Sequence, residues 1–250
     1  MPKITVSVSS QTGMVRDHNE DAVLVSRQIV RDNEMNTSVF LSQDERYVVA
    51  VCDGLGGQNA GELASMDAVE QLAKRIETLR PQLSIDHVRQ LMEEWVKDEH
   101  AYLNEAGRDQ ASMDGMGTTL VGLLFYENHI CWMNCVDSRL YRLRNGVLCQ
   151  ISSDHSLIQV THKMEDAHVI TNCLGGGGND AYLDFTEITD GVLEGDIFML
   201  CSDGLTDMLS DDEIESLMRK TPVASALTNA AIQNGGLDNV SVCLLSIDKL

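Results

Sequence analysis

Three aspartates stand where apolar runs stop. Val48-Val49-Ala50-Val51-Cys52 ends in Asp53-Gly54, Phe198-Met199-Leu200-Cys201-Ser202 ends in Asp203-Gly204, and Asp238 leads into Asn239-Val240-Ser241-Val242. A carboxylate at the mouth of a buried strand is partly desolvated and held on a rigid element. Several meeting at one place raise one another's pKa unless a cation sits among them. Hard divalent ions such as Mg²⁺ and Mn²⁺ take such oxygen ligands and keep several waters. The Gly after Asp53 and Asp203 lets a carbonyl or a bound water come close. Asp-Gly is also an ordinary turn dipeptide, so the pattern by itself leaves a turn and a metal centre both open.

The elements that must carry these residues follow from periodicity. Lys3–Ser9 alternates, with Ile4, Val6 and Val8 on one face, as a half-buried strand does. Strand-like runs recur at Ala22–Ser26, Tyr47–Cys52, Thr118–Phe125, His129–Val136, Leu140–Leu143, Val147–Ile151, Leu183–Ile188, Ile197–Cys201 and Val240–Ile247. Asn145-Gly146 between two of them is hairpin chemistry, because both residues accept positive φ. Helical spacing runs from Gly61 to Leu79 and from Ser84 to Ala106, with Gly107 as the expected stop. Ser210 and Glu213 form a capping-box pattern ahead of Ile214, Leu217 and Met218. Thr221-Pro222 is expected to open a last helix ending near Gly235. Strands, a helix pair, many strands, two helices and a final strand are not the alternation of a parallel sheet. They predict an α+β fold of mostly antiparallel sheets covered by helices. Residues 155–195, with the run Gly175–Gly178, have weaker periodicity and are expected to form an irregular flap-like excursion beside the site. One domain over residues 1–250 is the simplest count.

Composition narrows the function classes. The chain has 250 residues, enough to bury a core without disulfides. Lys plus Arg is 18 against 39 for Asp plus Glu, a formal charge of −21. With no basic run, that balance disfavours nucleic acid and anionic membrane as partners. It also means that any phosphate must be handled where Arg or metal ions reverse the local sign. The 7 cysteines include no CxxC pair, so zinc-ribbon and thioredoxin chemistry have no support, and buried free thiols in a reducing compartment are expected. MPKITVSVSS lacks the pattern of a signal peptide, and no apolar stretch approaches the length of a membrane span. The expectation is a cytoplasmic monomer.

A set of short motifs, in one order along nearly the whole chain, resembles the metal-dependent protein phosphatases, the protein phosphatase 2C family. Arg16-Asp17-His18-Asn19-Glu20-Asp21 resembles its RxxNED element and Asp53-Gly54-Leu55-Gly56-Gly57 its DGxGG. Gly117-Thr118-Thr119, Asp137-Ser138-Arg139, Asp154-His155-Ser156 and Leu174-Gly175-Gly176 resemble GTT, GDSR, DHS and LGG, with Val136 where GDSR has Gly. Ser202-Asp203-Gly204-Leu205 and Asp238-Asn239-Val240 resemble the last two acidic motifs. Any one is weak; the ordered set is specific. Its length resembles the compact bacterial members.

The resemblance implies a four-layer sandwich of two antiparallel β-sheets flanked by α-helix pairs, with two Mn²⁺ or Mg²⁺ ions at one end. Carried over, Asp53 bridges both ions, the Gly54 carbonyl binds one, and Asp203 and Asp238 bind the other. Asp114 takes a weaker third ion shared with Asp203. Glu20, Asp21 and Asn239 support the ligands and their waters, and Arg16 grips the substrate phosphate. The implied activity is hydrolysis of phosphoserine and phosphothreonine in proteins by a metal-activated water, reversing a bacterial Ser/Thr kinase. Leu55 stands where eukaryotic relatives often have a His proposed as general acid; His162 is a candidate replacement, while His18 and His155 read as structural.

Three other readings compete. Gly175–Leu183 fits one calcium β-roll nonapeptide, but such repeats need several stacked copies to bury a core. A catalytically silent member acting as a docking module predicts loss of a ligand aspartate, and Asp53, Asp203 and Asp238 are all present. Hydrolysis of a small phosphorylated metabolite stays open on sequence alone.

Overall fold

The computed structural model describes residues 2–42, 45–56, 60–109, 111–156 and 170–250. The elements, in chain order, are β1 (Lys3–Gln11), β2 (Ala22–Val25), β3 (Gln28–Val30), β4 (Asn33–Phe40), β5 (Arg46–Cys52), β6 (Gly54–Leu55), α1 (Ala60–Thr78) and α2 (Ile85–Asp109). Then come β7 (Gly117–Thr118), β8 (Leu120–Tyr126), β9 (His129–Cys135), β10 (Arg139–Arg144), β11 (Val147–Gln150), β12 (Leu174–Gly175) and β13 (Asp184–Glu187). Last are β14 (Ile197–Cys201), α3 (Asp203–Thr206), α4 (Asp211–Lys220), α5 (Ala224–Gln233) and β15 (Val240–Lys249).

Two six-stranded sheets form, ordered β11-β10-β14-β15-β1-β4 and β13-β9-β8-β5-β2-β3, with a small third sheet, β12-β7-β6. Every strand pairing described is antiparallel. The strand period of two explains the layering. On β5, Val48, Ala50 and Cys52 join the core under α1 and α2, whereas Tyr47, Val49 and Val51 join the core between the sheets. A third core lies under α4 and α5 and includes Met199, Cys201, Ile214, Leu227 and Val242. The order is therefore helices, sheet, sheet, helices, the α+β sandwich anticipated.

The structure corrects the sequence reading at several places. Strands β3 and β4 were not anticipated; β4 is an edge strand whose residues alternate between exposed and half-buried. Gly107 does not stop α2, which continues to Asp109; a Cβ there would lie 2.9 Å from the Met113 carbonyl oxygen, so the glycine allows a close approach. The last helix starts at Ala224, not at Pro222. In the excursion, β12, β13 and a 3₁₀ turn at Thr189–Gly191 are ordered, and residues 157–169, including His162, lie outside the described residues. All seven cysteines are free; five are buried, but Cys149 is exposed. No helix among the described residues is long and apolar enough to cross a membrane.

Candidate active site

The aspartates gather at one end of the sandwich because their strands end there. Asp53 follows β5, where its N–H donates to Thr119 Oγ1 at 2.9 Å. Its carbonyl accepts from Thr118 Oγ1 at 2.8 Å and from the Thr119 N–H at 2.9 Å. Thr119 and Ser138 share a 2.7 Å hydroxyl–hydroxyl bond, so the Gly117-Thr118-Thr119 and Asp137-Ser138-Arg139 motifs together fix the end of β5. Arg139 in turn forks onto Asp154 at 2.6–3.0 Å.

Two backbone contacts explain the glycines after Asp53 and Asp203. A Cβ on Gly54 would lie 2.2 Å from the Gly61 carbonyl at the start of α1, and one on Gly204 would lie 2.0 Å from the Asn239 carbonyl. The first contact seats α1 on the Asp53 turn; the second brings the Asp203 turn against Asp238-Asn239. Asn239 then ties in the loop between β1 and β2. Its Nδ2 donates to the Thr12 and His18 carbonyls, both at 2.9 Å, and its Oδ1 accepts the Glu20 N–H at 2.8 Å. The Glu20 carbonyl accepts from Ser65 Oγ on α1. Glu20 Oε1 also lies 3.3 Å from His18 Nε2.

Burial first, then the like charges of Asp21, Asp203 and Asp137, holds the Asp53 carboxyl well above the ordinary carboxylate range. Asp21 is wholly buried; that burial, opposed by hydroxyl bonds from Ser202 and Ser241 and reinforced by Asp203 and Asp238, pushes it up to about 7. Asp137 is raised to about 7 by burial and by Asp203 and Asp154. Arg16 supplies the opposite charge: its Nη2 lies 2.6 Å from Asp238 Oδ2, and Glu20 and Asp53 also favour its cationic form.

Asp238 is paired with Arg16, and among the described residues no three acidic, His or Cys side chains close on one point in ligating geometry. The donor set nonetheless fits hard divalent cations: it is all oxygen and crowded with like charge. The Asp21 Oδ1 atom is buried without a hydrogen-bond partner among the described residues, as an oxygen meant for a metal or its water would be.

The sequence-derived residues divide as follows. Arg16, Glu20, Asp21, Asp53, Gly54, Asp203, Asp238 and Asn239 are brought together. Asp114 is exposed on the turn before β7, with no hydrogen bond or ion pair among the described residues. Asp137 was quoted within a motif but not counted as a site residue, and it stands inside the cluster. Its signal was present: it too ends an apolar run, though Ser and not Gly follows it. His155 is structural, since its Nδ1 accepts the Val136 N–H at 3.1 Å and its Nε2 bonds Asp184 at 3.0 Å.

A family profile described as Protein phosphatase 2C matches residues 26–236. The chain belongs to the protein phosphatase 2C family. Protein phosphatase PhpP of Streptococcus pneumoniae is 30% identical over 98% of this chain and 98% of its own. The serine/threonine phosphatase structure from S. agalactiae superposes with a TM-score of 0.81 at 25% identity, covering 98% of this chain and 99% of that one. The catalytic domain of the serine/threonine protein phosphatase PstP, solved in complex with 2 manganese ions, covers 100% of both chains at a TM-score of 0.74 and 28% identity.

The departures from the family motifs now have physical content. Leu55 pairs with Gly117 in the small sheet and offers no proton. Val136 carries the Gly position of GDSR at φ 100° while fully buried. The glycine run is scaffold, not a calcium repeat. The Gly175 N–H donates to His100 Nδ1 at 3.1 Å and the Gly177 N–H to Asn104 Oδ1 at 2.8 Å, which ties β12 to α2.

Proposed function

We infer that this chain is a metal-dependent protein phosphatase that hydrolyses phosphoserine and phosphothreonine, and that its working residues are those gathered at the mouth of the sandwich. The observation that carries this is the meeting of Asp21, Asp53, Asp203 and Asp238 with one arginine, Arg16, in a chain of formal charge −21.

Asp53, the Gly54 carbonyl, Asp203 and Asp238 would hold two Mn²⁺ or Mg²⁺ ions. Bound there, the ions supply Lewis acidity that lowers the pKa of water towards neutrality, so attack on phosphorus needs no basic side chain. Asp21 keeps an oxygen aimed into the cluster, and Glu20 and Asn239 lock the loop that carries Arg16. The Arg16 guanidinium, half exposed and next to Asp238, forks onto two phosphate oxygens and orients the ester. The thiol next to the site does not compete as nucleophile: Cys52, adjacent to Asp53, is fully buried and its thiol is pushed far up by burial. The proton for the departing seryl or threonyl oxygen cannot come from position 55.

Several finer points belong to the same proposal. Asp114 would take a weaker third ion with Asp203; it stands a few residues before Thr118, whose hydroxyl bonds the Asp53 carbonyl. Residues 1–250 act as one domain, because β5 contributes to both cores that face its sheet. The free buried cysteines suit the cytoplasm, and the large net charge suits a monomer. The natural counterpart is a Ser/Thr kinase acting on the same proteins.

The test is turnover of p-nitrophenyl phosphate and a phosphothreonine peptide with Mn²⁺ and with EDTA. Asp203→Asn should abolish turnover while thermal unfolding stays cooperative, and normal turnover in that variant refutes the assignment. Arg16→Ala should mainly raise KM; an unchanged KM rejects its phosphate role.

A further inference from the structure

An apolar ledge borders the phosphate clamp. Met14 and Val15 are 71% and 62% exposed and immediately precede Arg16; Leu237 is 58% exposed and immediately precedes Asp238. The two segments are locked together. The Met14 N–H donates to the Gly236 carbonyl at 2.8 Å. A Cβ on Gly13 would lie 2.3 Å from the Asp238 carbonyl, and one on Gly236 would lie 3.1 Å from Met14 Cγ. Large apolar side chains held in water on fixed backbone, beside the most charged part of the molecule, mark a contact surface. The other exposed large apolar residues, such as Phe40, Tyr102, Val147 and Leu193, belong to other segments of the chain.

We propose that Met14, Val15 and Leu237 form a substrate-docking ledge that selects phosphoproteins with an apolar side chain within about three residues of the phosphorylated Ser or Thr, the reach of an extended chain at roughly 3.3–3.6 Å per residue. This rests on the phosphatase reading above and adds the substrate class. Continuity with the phosphate clamp decides the occupant. A peptide whose phosphate lies on Arg16 must run past residues bonded to Arg16 and Asp238 in the chain. The partner's chemistry follows from the side chains that flank the clamp: they are apolar, the −21 charge repels acidic flanks, and between flanks of equal charge selection comes from apolar burial. Half-burying one Leu-sized side chain on the ledge gives about fivefold to tenfold in kcat/KM.

The experiment compares two phosphothreonine peptides of equal length and charge, one with Leu or Val flanking the phosphothreonine and one with Ser and Gly, assayed with the full chain and Mn²⁺. p-Nitrophenyl phosphate, which has no flanks, is the reference. The expected result is a fivefold to tenfold preference for the apolar peptide. That preference should vanish in the double variant Met14→Ser/Leu237→Ser, while turnover of p-nitrophenyl phosphate is unchanged. Equal kcat/KM for the two peptides, or a preference that survives the double variant, overturns the ledge and leaves the phosphatase reading standing. Absence of turnover on all three substrates overturns both.

Discussion

Val136 offers a test in which the usual order of two substitutions should reverse. The residue is fully buried, β-branched and at φ 100°, where side chains with a Cβ are disfavoured. Three bonds hold it there: its N–H to His155 Nδ1 at 3.1 Å, and its carbonyl from the His155 N–H at 2.8 Å and from Asn134 Nδ2 at 3.2 Å. Val136→Ala removes two buried methyl groups and keeps the strain, so it should cost about 1.6 kcal/mol at ~0.8 per buried carbon. Val136→Gly also removes the Cβ. In an ordinary strand Gly is worse than Ala by roughly 0.5–1 kcal/mol, but relief of the left-handed strain returns about 1–2 kcal/mol. Val136→Gly should therefore be more stable than Val136→Ala by about 0.5–1 kcal/mol, or roughly 2–4 °C in Tm per kcal/mol for a chain of this size. Urea denaturation of the two variants side by side reads the difference. If Val136→Gly is the less stable by the ordinary margin, the strain assigned to this backbone is not there.

Two other outcomes can be measured on the same material. Glu99 on α2 is raised from 4.5 to about 8 by burial and by the neighbouring Asp67. An acid raised on folding adds no cost below its unfolded pKa, an increasing cost up to its folded pKa, and the full cost above it. Glu99→Gln should therefore gain stability over the parent by roughly 2–4 kcal/mol between pH 4.5 and pH 8; a pH-independent difference rejects the pairing with Asp67. Gly204→Ala, whose Cβ would lie 2.0 Å from the Asn239 carbonyl, should cost at least about 2–3 kcal/mol and depress activity, whereas Gly191→Ala, with nothing within 4 Å, should be nearly neutral. Similar unfolding midpoints for the two would show that the Asp203 turn does not depend on that close approach.

Much of the fold was legible because each core-facing run carries its own period. The Ser210–Glu213 capping box forms, with both Ser210 N–H and Oγ donating to Glu213 at 2.9 and 2.8 Å. The Asn145-Gly146 turn has φ 53° and 79° and closes the β10–β11 pairing of Arg144 with Val147. Strand β4 was not legible, because an edge strand half in water needs no apolar alternation; NEMNTSVF is held by its ladder to β1. Gly107 misled because a helix stop and a close-packed helix position call for the same residue. At the site, Asp53, Asp203 and Asp238 announce themselves by ending or opening apolar runs. The pairing of Arg16 with Asp238 is a contact across 222 residues of sequence, which no local pattern encodes.

That long separation has a consequence for how the protein comes into being. β1 pairs along its whole length with β15, from Lys3 with Lys249 to Gln11 with Val240, and Asn239 secures the loop that bears Arg16. While the chain is being made, β1 can pair early with β4 on one edge, but its other edge has no partner until residues 240–249 have been made. A chain stopped short of Asp238 lacks the partner of Arg16 as well as the ladder that closes β1.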